Sequence, residues 1–154
     1  MTIDDLKSLM DAFEPASLLP DAETVLGILV IAARIAVLAG PILLLVAGIM
    51  YMFLSPKEAN YYFGYRCYFG MGSDEAWRYS QRMAGLIWTG LGLVLTIVMA
   101  IVSGGFGGKE ANDALSAALT CILWEAGLVA LSCIVINSLV MYHFTAKGDR
   151  RRKK

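Results

Sequence analysis

Two ionisable side chains, Arg34 and Glu125, stand inside otherwise apolar stretches, and any chemistry of this chain begins with them. A lone charge in hydrocarbon costs at least about 2.5–3.5 kcal/mol on insertion scales, so each needs a partner, a route to the headgroups or access to water. Each lies about ten residues into its stretch, and both stretches run the same way across the bilayer, so the spacing predicts an Arg34–Glu125 ion pair. Such a pair can staple a bundle or line a water-filled pocket for a peptide or an ion, and the sequence leaves both open. Catalytic signatures are missing: there is no HExxH, GxSxG, Cys/His pair or P-loop, so no enzyme activity and no cofactor are expected. The single histidine, His143, falls at the end of an apolar run, where a helix-terminal role suits it. Cys67, Cys121 and Cys133 have neither CxxC spacing nor a histidine partner, so they read as unpaired thiols rather than metal ligands. The run Gly104–Gly108 (GGFGG) lacks the strand that precedes a phosphate loop and reads as a flexible turn.

The elements that position Arg34 and Glu125 are membrane spans. With 58% hydrophobic and 17% charged residues over 154 positions, the chain is too apolar for an ordinary soluble domain. Residues 24–54, 83–102 and 115–144 are each long enough to cross a hydrocarbon layer of about 30 Å. Helices are required, because lipid leaves no partner for the backbone groups of an open strand. The fold class expected is all-α, three transmembrane helices with a short N-terminal amphipathic helix. That helix rests on Ile3, Leu6, Leu9, Met10 and Phe13 at helical spacing, with Asp4, Lys7, Asp11 and Glu14 opposite and Pro15 as its stop. It belongs to an extracytoplasmic arm, residues 1–23, with no basic leader of a cleaved signal peptide. In the first span Ala32, Ala36 and Gly40 make a small-residue stripe, and Pro41 predicts a kink just beyond it.

Charge predicts the direction. The loop 55–82 carries four Lys and Arg residues and the tail 145–154 six, ten of the thirteen in all, whereas the opposite side holds only Lys7 and Lys109. The N-terminus is therefore expected outside and the C-terminus in the cytoplasm. A basic tail also suits nucleic acid, but attraction to anionic headgroups accounts for it more simply, so the expected partner is the lipid bilayer and not nucleic acid.

The loop 55–82 is the densest in polar and aromatic residues. Ser73 can cap a helix that opens with Asp74 and Glu75, and Arg78 is placed to meet either acid on the same face. Trp77, Gln81, Ala84 and Trp88 recur at helical spacing, while Gly64 and Gly70 among six aromatic residues suggest a tight turn at headgroup level. A charge network of Arg66, Asp74, Glu75 and Arg78 is expected to lock this loop, with a docking surface as the alternative.

In its order Asn60, Gly64, Tyr65, Arg66, Met71, Asp74, Glu75, Trp77, Gln81 and Gly85, placed between two spans, the loop resembles the SdpI family of bacterial membrane proteins. Cys67 stands where that pattern commonly has Thr or Ser. The resemblance implies a multi-pass protein of the bacterial cell membrane, in a role of immunity against, or sensing of, a secreted membrane-active peptide toxin. Two other readings compete. One is a small transporter or channel, in which homo-oligomers surround a path lined by Arg34, Glu125, Ser132 or Asn137; the other is an assembly subunit of a membrane complex.

Overall fold

The computed structural model describes residues 21–151, so the expected amphipathic helix over residues 3–14 and the last three basic residues lie outside it. Three long helices run up, down and up: α1 (Ala22–Phe53), α2 (Asp74–Gly104) and α3 (Ala111–His143). At 1.5 Å per residue they are roughly 46–50 Å long, so each crosses the hydrocarbon layer and projects beyond it. A 3-10 turn, Gly105–Gly108, joins α2 to α3 at one end of the bundle, the turn end. The loop 54–73 and the residues after His143 meet at the other, the motif end. All three helices are long and apolar enough to span a membrane, and among the described residues there is no strand beyond a single bridge between Phe144 and Arg150.

The helices are apolar all round, so hydrophobicity alone does not choose which face packs. Large side chains such as Ile31, Ile35, Leu43, Ile101, Leu123 and Trp124 point outward, as lipid-facing residues do. The choice is made by small residues. Gly48 lies against the backbone of Thr89, and a Cβ on Gly92 would sit 2.5 Å from Leu45 N, so α1 and α2 touch almost backbone to backbone. The small-residue stripe anticipated at Ala32, Ala36 and Gly40 is exposed; the packed face of α1 is Ala33, Val37, Pro41, Leu44 and Gly48. The α-helix runs unbroken through Pro41. Two apolar cores result, one near the turn end around Val37, Met99, Phe106 and Ala118, the other at the motif end around Tyr65, Ala84, Ile136 and Phe144. Between them Trp88 Nε1 donates to Ser132 Oγ at 3.0 Å, a polar tie of α2 to α3 that spares an indole N–H from lipid.

Candidate functional site

The motif loop is built around one glutamine. Gln81, on the first turns of α2 and 1% exposed, grips both backbone groups of Tyr65: its Oε1 accepts from the Tyr65 N–H and its Nε2 donates to the Tyr65 carbonyl, each at 2.7 Å. The Tyr65 hydroxyl reaches α3, within 3.2 Å of both the Cys133 carbonyl and Asn137 Oδ1, and its ring stands edge-on to Trp88. Burial pushes the Tyr65 hydroxyl well above the ordinary tyrosine range, with the neighbouring Cys133 and Cys67 adding to the shift, so it stays a donor. Trp77, fully buried, donates its indole N–H to the Pro56 carbonyl at 2.9 Å. Asn60 Oδ1 accepts from the backbone N–H of Tyr62 and Phe63, an Asx turn that starts the reversal. The chain can then pass over the indole only at Gly64, whose φ of +124° and lack of a Cβ bring it against Trp77 and Gln81.

Ser73 caps α2, accepting from the Ala76 N–H at 3.2 Å, and donates to the carbonyl of Gly148 at 2.8 Å. The expected charge network does not form. Asp74 Oδ1 is taken by the Ala59 N–H at 3.2 Å, and Glu75 faces Arg150 of the tail at 3.7 Å, an exposed pair of little energetic weight. With both acids occupied, Arg78 turns instead to a recess of about 340 Å³ that it shares with Lys57, Arg82 and Tyr51. Arg66 is exposed and borders a separate recess of about 480 Å³ with Cys67, Phe69, Asn137 and Met141. Burial raises the Cys67 thiol, opposed by a hydrogen bond from the Gly70 backbone.

Sequence reasoning missed the tail as a structural part of this site. Phe144 is 1% exposed, and beyond it the chain turns back at Gly148, with Arg151 N–H on the His143 carbonyl at 2.8 Å. The signal was the Lys147-Gly148-Asp149 turn inside what read as a plain basic run. His143 Nδ1 lies 3.1 Å from the Tyr79 hydroxyl and 2.9 Å from the Leu139 carbonyl, which ties α3 to α2 at this end.

The predicted Arg34–Glu125 ion pair is corrected by the structure: no cation lies within 4 Å of Glu125 among the described residues. Glu125 packs opposite Gly40, where an added Cβ would meet Oε2 at 2.7 Å. That is six residues, or about 9 Å, further along α1 than Arg34. Helical side chains lean toward the N-terminus, so Arg34 leans away from Glu125 and toward the turn end. There its Nη2 donates to the Gly104 carbonyl at 3.4 Å and lies against Gly107, which places its charge at the carbonyl end of α2. Of the other polar residues proposed to line a path, Ser132 and Asn137 are engaged within the bundle, by Trp88 and Tyr65.

With this geometry in view, comparison with protein families matches the SdpI/YfhL protein family over residues 57–142. The chain belongs to the SdpI/YfhL family. The match begins inside the motif loop and runs to the end of α3, so it takes in Gln81, Tyr65, Trp77 and Glu125 and leaves Arg34 and the tail turn outside. No curated protein and no solved structure matches the chain. As an SdpI/YfhL member with three apolar spans, the chain is a multi-pass membrane protein.

Proposed function

We propose that this chain acts in immunity against, or sensing of, a secreted membrane-active peptide, as the SdpI resemblance implies, and not as a catalyst. The observation that carries the reading is the family match, which covers the unit in which Asn60, Gly64 and Tyr65 of the loop are held by Trp77 and Gln81 of α2 and Tyr65 reaches α3. A unit so fully hydrogen-bonded to the bundle transmits a displacement of the helices rather than absorbing it, and this is what sensing at a membrane surface requires. Exposed Tyr61, Tyr62 and Tyr68 beside it suit the headgroup layer. The motif end carries Lys57, Arg66, Arg78, Arg82, Lys147, Arg150 and Arg151 against Arg34 and Lys109 at the turn end, which supports a cytoplasmic motif end. The test is survival of the native host, with and without this chain, in concentrated culture supernatant of its own strain, beside a protease-treated control. Survival in the native host captures direct protection and signalling alike. Loss of survival on deletion, abolished by protease treatment, is the expected result; equal survival of both strains overturns the reading.

A further inference from the structure

Among the described residues three buried side-chain atoms have no hydrogen-bond partner, Arg34 Nε, Thr89 Oγ1 and Glu125 Oε1, and the last belongs to a carboxyl that reaches no donor at all. Glu125 is 7% exposed, and its Oε1 is buried with no hydrogen-bond partner. The carboxyl borders a cleft of about 440 Å³ between α1 and α3, walled by Gly40, Pro41, Leu44, Ile122 and Val129, with Leu95 of α2 also lining it. The volume falls in the range of about 300–1,000 Å³ typical of small-molecule sites. Apart from the carboxyl, every side chain on the wall is apolar.

A carboxylate in such surroundings needs a proton or a counter-charge, because an unpaired buried charge is far costlier than an unpaired dipole. The bundle supplies no cation. On α1 the nearest charged residue along the helix is Arg34, committed to the Gly104 carbonyl; α2 offers only Leu95; on α3 the titratable neighbour one turn away is the thiol of Cys121. Glycine at position 40 is what leaves room for the carboxyl, since a methyl there would contact Oε2. The site therefore combines an apolar chamber, a single acid on its wall, and a carboxyl oxygen without a hydrogen-bond partner.

We infer that the Glu125 cleft binds an apolar organic cation that enters from the lipid, its ammonium or guanidinium group donating to the Glu125 carboxyl, which turns toward it, while its apolar body fills the space between α1 and α3. The carboxyl releases its proton to bulk water as the cation arrives, so one positive charge replaces another and the site stays neutral. Carboxylate and cation in this low-dielectric setting attract strongly, and the apolar walls reject hydrated inorganic ions. A free alkylamine and a basic side chain of a membrane-inserted peptide share this chemistry. The inference does not depend on the immunity reading.

The test uses the full chain in phosphatidylcholine nanodiscs, titrated with a dansyl-labelled alkylammonium between pH 5 and 8, where the amine stays protonated. The expected result is saturable one-to-one binding that tightens as pH rises, since protons compete for the same oxygen. Glu125→Gln, nearly isosteric, weakens it at least tenfold, and the uncharged alkylamide analogue binds no more tightly to wild type than the cation binds to that variant. Dicyclohexylcarbodiimide, which modifies protonated carboxyls in apolar settings, labels Glu125 in wild type, and the cation protects it. That wild-type measurement decides the matter even where the variant fails to fold. Displacement of the probe by a transmembrane peptide with a single lysine, and not by its leucine counterpart, assigns the site to peptide side chains; displacement by free alkylamines alone assigns it to small amphiphiles. Equal affinity of Glu125→Gln, equal affinity for the uncharged analogue, or labelling indifferent to the cation overturns the inference.

Discussion

Replacing Gln81 by leucine tests whether the motif loop is held by one side chain. Leucine keeps most of the volume and removes both hydrogen bonds to Tyr65, each 2.7 Å long and fully buried. The Tyr65 N–H and carbonyl are then stranded against Trp77 and α3. A buried backbone group without a partner costs about 1–3 kcal/mol, and taking the lower half of that range for two groups that recover water once the loop opens gives about 2–4 kcal/mol. The helices themselves lose nothing, because their backbone bonds are internal and their apolar faces remain in lipid. The cost therefore appears as local opening of the loop rather than global unfolding. At 1.36 kcal/mol per decade, the Tyr65 amide is expected to exchange its hydrogen roughly 30- to 900-fold faster, while amides in the middle of α2 keep their wild-type rates. A Tyr65 amide that exchanges within threefold of wild type, in a variant whose helices are intact, refutes the claim that Gln81 holds the loop.

Two further outcomes follow from other contacts. Exchanging the intramembrane charges, Arg34→Glu with Glu125→Arg, is expected to give no rescue, because the side chains sit at different levels of the bundle; a double-mutant cycle on thermal unfolding should return a coupling below about 0.5 kcal/mol, and a value of about 1.5 kcal/mol or more would mean that the two do meet. The second concerns pH. Tyr65 is raised above its unfolded pKa of about 10, so the folded loop prefers the neutral phenol; stability from this group is intact below about pH 10 and falls as pH climbs beyond it. Above pH 10, loop opening followed by alkylation of Cys67 should rise more steeply in wild type than in Tyr65→Phe, and identical slopes would remove Tyr65 from the account.

The sequence announced most of the fold because the bilayer imposes it. A run of apolar residues as long as that around Val37 or Leu95 has few alternatives to a spanning helix, and Ser73 followed by Asp74 and Glu75 marks where α2 begins before it enters the membrane. What the sequence left open was rotation and depth. Apolar residues surround every helix, so no periodicity said that α1 would pack through Gly48 rather than through Ala32 and Ala36, and a register fixed at Gly48 and Gly92 sets the level of everything above and below. Between α1 and α3 the level is set where Glu125 packs over Gly40, six residues beyond Arg34, so Arg34 and Glu125, similar in distance from the ends of their spans, fail to meet. The same limit applied at the motif end: Asp74, Glu75 and Arg78 are neighbours in sequence, but the acids found Ala59 and Arg150, partners distant along the chain.

Polar satisfaction supplies the information that apolar patterning withholds. In a bundle solvated by lipid, an outward leucine says little, because lipid and protein are nearly equivalent surroundings for it. A polar atom is different, since each one left unpaired carries a cost that some contact must offset. Through this bundle most polar side chains find a contact: Trp88 on Ser132, Tyr65 on Asn137, Gln81 on the Tyr65 backbone, and Arg34 Nη2 on the Gly104 carbonyl, although Arg34 Nε and Thr89 Oγ1 are buried without one. Those contacts are structural because each ties one part of the bundle to another. Glu125 differs, with Oε2 over Gly40, Oε1 without a donor, and the residue itself on the wall of an apolar cleft. A carboxyl in hydrocarbon without a protein partner needs a proton or a cation from outside the protein, and the contrast between Arg34, whose Nη2 reaches the Gly104 carbonyl, and Glu125, whose carboxyl reaches no donor, separates a residue that holds the bundle from the one proposed to meet a ligand.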